Sequence, residues 1–176
     1  MRGIAVAIVL MLGASQANAQ PADQRAFAAA NEAAQPADGR ESALHGIERK
    51  LEARDKAVCK AKPSPDIRDW VGTVSSLDQS NGSYAITIDI GRKVTVHEFI
   101  DPSELPRQTA EQRKDAARQL AVVEMLKGLR RGDRVVFSGR FYTGYFGNCP
   151  VATNVLIVRR HDEPDYSVRF RTITRL

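Results

Sequence analysis

The side chains able to do chemistry in this 176-residue sequence are few and dispersed. There are two cysteines, Cys59 and Cys149, and three histidines, His45, His97 and His161. His97 and Glu98 are adjacent in a stretch that alternates like a strand, so they point to opposite faces and cannot cooperate directly. His45 and His161 have no partner that spacing alone can place. No G-x-S-x-G, H-E-x-x-H or Walker pattern occurs. Asp133, in an Arg-Gly-Asp turn, reads as a turn residue rather than an acid catalyst. The cysteine spacing has no metal-site signature. No catalytic residue, metal or cofactor is therefore expected, and the chain reads as a binding protein rather than an enzyme.

Chemistry of recognition is better represented. Aromatic residues make up only 6% of the chain, yet Tyr145 and Phe146 sit together between glycines, just after Tyr142. On a loop, such a pair stacks on a base or a sugar ring. The plainer role is a hydrophobic plug over a barrel mouth, held in place by Cys149. From Lys127 onward there are ten Lys or Arg against four acids. Arg134 and Arg140 lie on one strand and Arg169, Arg171 and Arg175 on another, so they could line up toward an anionic partner. The plainer reading is solvated charge on an edge strand, which also blocks sheet-to-sheet aggregation. Tyr142, Tyr145, Phe146, Arg134, Arg140 and His97 are the candidate ligand-binding residues.

The N-terminus reads as an export signal over residues 1–19. Arg2 supplies the positive start and residues 4–12 are apolar but too short to span a bilayer. Ala17-Asn18-Ala19 is an A-x-A cleavage motif, with the cut expected after Ala19. A periplasmic or secreted location follows, with no transmembrane segment in the mature chain. In that oxidising setting Cys59 and Cys149 are expected to form a disulfide.

Around these residues the elements fall in a definite order. Residues 20–40 are rich in Ala and Pro and read as a tether, with a frayed helix up to Pro36. Residues 41–62 carry an amphipathic helix, with Leu44, Ile47, Leu51 and Val58 on one face, and Pro63 and Pro65 break it. A meander of three strands follows. Gly72 suggests a bend or bulge in the first, and Asn81-Gly82 marks a hairpin turn before the second. Residues 84–90 alternate, with Tyr84, Ile86, Ile88 and Ile90 on one face. Val94, Val96 and Ile100 do the same in the third strand. Thr109 and Gln112 form a capping-box pattern that opens a helix, whose apolar face is read as Ala116, Leu120, Val123 and Leu126 or Met125. A strand at 134–142 puts Val135, Phe137, Gly139 and Phe141 on one side. A fifth strand is expected at 151–158 and a further one at 166–175, with Val168, Phe170 and Thr172 alternating against Arg169, Arg171 and Ile173.

Three meandering strands, a helix and two more strands is the order of a five-stranded Greek-key barrel of the OB type. The segment Gly132-Asp133-Arg134-Val135-Val136-Phe137-Ser138-Gly139 resembles the fourth-strand entry of many such barrels. More closely, the chain resembles the exported bacterial OB-fold group described as tRNA-anticodon-binding-like. The resemblance covers roughly residues 66–158 and extends to no catalytic residue. It implies a mainly β barrel domain, read here over 66–176, with a helix between strands three and four; the helix in front and the extra strand behind depart from the minimal pattern and would cover a barrel edge or serve a partner. It also implies a ligand site on the face of strands two and three, flanked by the loops joining strands one to two and four to five. The expected partner is an anionic, oligomeric or protein component of the cell envelope, with single-stranded nucleic acid as the alternative.

Overall fold

The fold is that of a computed structural model in which residues 20–33, 44–107, 109–142, 149 and 164–176 are described, the side chains of 33 and 44–50 excepted. The elements are α1 (Ala22–Ala33), α2 (Leu44–Ala61), β1 (Asp66–Ser80), β2 (Ser83–Asp89), β3 (Thr95–Ile100), α3 (Ala110–Leu126), β4 (Arg134–Phe141) and β5 (Asp165–Arg175). The five strands close into a barrel in the order β1-β2-β3-β5-β4. All neighbours are antiparallel except β3 and β5, which run parallel. That is the OB arrangement expected from the order of elements, with α3 between β3 and β4. The closing strand is the C-terminal one, read above as an addition to the barrel. The strand expected at 151–158 lies outside the described residues.

Local chemistry accounts for the turns. Asn81 and Gly82 both take positive φ, 50° and 83°, as a two-residue hairpin turn requires. At the start of α3, Gln112 N donates to Thr109 Oγ1 and Thr109 N to Gln112 Oε1, the reciprocal capping box. Asp133 is a turn residue. Its carboxylate accepts from Arg130 N at 2.8 Å and pairs with Arg175 at 2.6 Å.

The bulges of β1 fall between Ile67 and Trp70 and between Val74 and Ser76, on either side of Gly72. Gly72 itself is a point of close approach. A Cβ there would stand 2.4 Å from Ile88 Cγ2 and 2.7 Å from Asp89 O. A third irregularity lies between β4 and β5 at Ser138 and Gly139. It reverses the alternation of β5, so that Tyr166, Val168 and Phe170 face inward, then Ile173, while Thr172 is exposed. The strict alternation expected for this strand breaks because the bulge inserts one residue.

Both ends of the barrel are covered. Leu126 and Val122 of α3 are fully buried in the core. The buried face of this helix is Ala116, Gln119, Val122, Val123 and Leu126, whereas Leu120 and Met125 stand 39% and 38% exposed. At the other end the segment read as a tether does more. Its α1 helix sends Phe27, fully buried, into a cluster with Trp70, Phe141 and Tyr166. The Gln24 side chain donates to Val71 O and accepts from Val71 N, pairing with β1 like a short strand. Trp70 Nε1 donates to Asp23, and Tyr166 Oη donates to Asn31 Oδ1 at 2.6 Å. A disulfide between Cys59 and Cys149, with Cα atoms 5.1 Å apart, ties the end of α2 to the chain beyond β4. Among the described residues no helix is long and apolar enough to cross a membrane.

Candidate functional site

β3 and β5 pair over only three residues on each strand, from Thr95 opposite Asp165 to His97 opposite Ser167. Beyond His97 the two strands part, and the first half of α3 lies against β5 there. Glu98 sits in this seam, 3% exposed, and its carboxylate accepts from Phe170 N at 2.7 Å. A side chain thus takes the backbone group that a longer β3 would have paired. Burial pushes the Glu98 carboxyl up to about 7, and the bonds from Phe170 N and the Gln119 side chain oppose that rise only in part.

Over the seam, α3 and the strands β4 and β5 enclose a cleft of 460 Å³ lined by Arg118, Arg140, Tyr142, Arg169 and Arg171 among others. It continues along α3 into a second hollow that shares Asp115, Arg118 and Arg169. A smaller one of 190 Å³ shares Tyr142 and Arg169 and reaches Glu98 and Phe99. Arg169 and Asp115 line all three. The Arg169 guanidinium lies 5.1 Å from the centre of the Tyr142 ring, donates to that residue's Oη at 3.2 Å and pairs with Asp115 at 2.5 Å. Arg171 pairs with Asp66 at 3.2 Å. Arg118 and Arg140 have no carboxylate partner among the described residues. A water-exposed guanidinium without a partner is a ready site for a carboxylate, sulfate or phosphate oxygen.

Of the residues expected at the site, Tyr142 and Arg140 are brought together in this cleft. Arg134 shares the outer face of β4 with Arg140 but stands six residues away, about 20 Å along a strand. It belongs to the opposite end of the barrel, where its carbonyl accepts from Leu176 N. Tyr145 and Phe146 lie outside the described residues. Arg118, Arg169 and Phe99 join the site. Phe99 is 64% exposed on the outer face of β3, where barrels of this type commonly bind, and it lines the smallest of the three hollows. Its exposure against the buried pattern Val96, Glu98, Ile100 is the signal that period-two counting offers.

His97 lies elsewhere, on the outer face, and does not cooperate with Glu98. The parallel pairing places Asp165 Oδ2 2.8 Å from its Nδ1 and Ser167 Oγ 2.9 Å from its Nε2. Thr95 Oγ1 donates to Asp165 Oδ1 at 2.7 Å. The order of groups is that of a hydrolytic triad, but two features separate it from one. Nδ1 makes no hydrogen bond despite the short distance, so the carboxylate lies off the N–H direction and does not fix the tautomer. Ser167 sits within a strand, and its carbonyl accepts Tyr142 N–H. An oxyanion hole needs backbone N–H groups aimed away from the sheet at the reacting oxygen. Among the described residues no group of three or more His, Cys, Asp or Glu side chains could hold a metal ion.

Together these features define a closed OB-type β-barrel with a cleft lined by four arginines, Asp115 and Tyr142 among others. No family model matches the chain, and no curated protein matches it in sequence.

Proposed function

We propose that this chain is a non-catalytic, exported binding protein of the cell envelope that holds an acidic oligosaccharide in the cleft between α3 and strands β4 and β5. The observation that carries the reading is the pair of guanidinium groups, Arg118 and Arg140, that have no carboxylate partner among the described residues and line the same cleft as the Arg169–Tyr142 stack. Anionic substituents would meet the arginines. Sugar rings would lie on Tyr142 and on exposed Phe99. The export signal read at residues 1–19 points to the envelope, where glycans are abundant and nucleic acid is scarce. Resemblance to exported OB-fold proteins agrees with a binding role.

The test is titration calorimetry of the chain from Gln20 onward with a hexamer of galacturonic acid, beside a thymidine dodecanucleotide. Binding of the hexamer that falls at least tenfold in Arg118→Ala/Arg140→Ala supports the reading, since each lost bond to a charged group is worth about 1.5–3 kcal/mol. Binding of the hexamer that survives both substitutions overturns it. The exposed Phe99 and the arginines equally suit single-stranded nucleic acid, and that second reading is favoured if only the dodecanucleotide binds, with steep loss as salt rises.

A further inference from the structure

We infer that, above neutral pH, binding of an anion in the cleft is coupled to uptake of a proton by Glu98, which is buried beside the cleft. The inference rests on the reading of the cleft as an anion site and adds its regulation.

Glu98 is sealed in the seam where β3 and β5 part, beneath the same Tyr142 and Arg169 side chains that wall the cleft. The groups facing it can be named from each element. From β5 come Phe170 N–H, at 2.7 Å, and the Arg169 guanidinium. From α3 come the Gln119 amide and the Asp115 carboxylate, and from the segment between β3 and α3 the Asp101 and Glu104 carboxylates line the same hollow. Tyr142 closes the side beyond β4. His97, the next residue on β3, points the other way and pairs with Asp165 and Ser167. Among the described residues Arg169 is therefore the one cation named beside Glu98, and Asp115 already pairs with it at 2.5 Å. With Glu98 ionised, one guanidinium stands between two carboxylates. An anion entering the cleft brings a third negative charge to that guanidinium. A proton on Glu98 relieves the crowding without moving an ion pair, because a neutral carboxyl can still accept from Phe170 N through its carbonyl oxygen.

The linkage has a definite sign. Glu98 of the empty cleft titrates near 7. A bound anion disfavours its ionised form and raises that value. Affinity is then full below about pH 7 and falls as pH rises above it, levelling off once Glu98 is ionised even with the anion bound. By reciprocity the factor lost in affinity equals the factor gained in proton binding.

The experiment is calorimetry with the galacturonic acid hexamer at pH 6, 7.5 and 8.5, in buffers of contrasting ionisation enthalpy. The wild-type chain should bind about tenfold more weakly at pH 8.5 than at pH 6, and at pH 7.5 binding should draw a fraction of a proton from the buffer. Glu98→Gln should bind with equal strength at all three pH values and draw none. His97→Gln should keep the wild-type slope. Wild-type binding with no proton uptake overturns the inference and leaves the anion site standing. A slope that survives in Glu98→Gln, or disappears in His97→Gln, overturns it as well. If the hexamer binds to no variant at any pH, the anion site itself falls, and the linkage with it.

Discussion

The ring of Phe27 lies 4.9 Å, centroid to centroid, from the ring of Tyr166, joining α1 to the first inward residue of the closing strand β5. Phe27 also meets Trp70 at 5.2 Å and Phe141 at 5.1 Å, so one side chain from outside the barrel touches β1, β4 and β5 together. Replacing it by alanine should lower the free energy of unfolding by about 3–5 kcal/mol. Urea denaturation followed by Trp70 fluorescence checks this. An effect within 0.5 kcal/mol, of the size expected for an ordinary surface change, would show that α1 is not part of the core.

The disulfide offers a separate test. Cys59 and Cys149 are 90 residues apart in the chain, and closing a loop of that size is worth up to about 4–5 kcal/mol through the unfolded state. Cys59→Ser should lower the melting temperature of oxidised protein and leave one thiol on Cys149. Labelling denatured, unreduced wild type should find no thiol. Two labelled cysteines in that sample would refute the bond.

Stability should also carry the signature of Glu98. Its carboxyl titrates near 7 when folded, against 4.5 for the ordinary side chain, so between those values the folded state holds a proton that the unfolded state has released. The stabilisation is complete below about pH 4.5 and is lost as pH rises through 7. The difference is about 3 kcal/mol. Glu98→Gln should therefore show a flatter profile than wild type across that window in denaturant titrations at fixed pH. Parallel profiles would mean that Glu98 titrates normally.

Gly139 tests the geometry beneath the cleft. A Cβ at this position would lie 2.5 Å from Arg169 O and 3.1 Å from Phe170 Cα. Alanine must push β5 outward at the bulge, at about 1–3 kcal/mol. It should also move the amide signals of Arg169 and Phe170 in a nitrogen–proton spectrum more than those of Arg134 at the far end of β4. Shifts spread evenly along β4 would contradict a local wedge.

Much of the barrel is legible in the sequence because its cues are local. The Asn81-Gly82 turn, the alternation of Tyr84, Ile86 and Ile88, and the Thr109–Gln112 cap each act within a few residues. What was harder to read depends on distant partners. An alanine-rich helix with one Phe looks detached until Trp70, Phe141 and Tyr166 are assembled around it. The inward turn of Ile173 follows from a bulge opposite Ser138, which leaves no mark in the periodicity of β5. The buried face of α3 includes Gln119 in place of Leu120, because Glu98 waits beneath it in the seam. The cleft is illegible for the same reason. Arg118, Arg140 and Arg169 come from three elements, and only closure of the barrel brings them to one place.

The order of strands has a consequence for how the protein is made. β5 is the keystone: it bonds to β3 on one side and β4 on the other, and the other four strands precede it in the chain. Until residues 165–175 have emerged, those four form only an open, incomplete sheet. Pairing across such long stretches of chain is slow, since loop closure must precede any reward. A polypeptide synthesised in this order stays pliant until β5 has been made. Such a delay is what the export proposed above would require of a chain threaded unfolded through a narrow secretion channel. The barrel would then snap shut on the far side, where its cysteines can be oxidised.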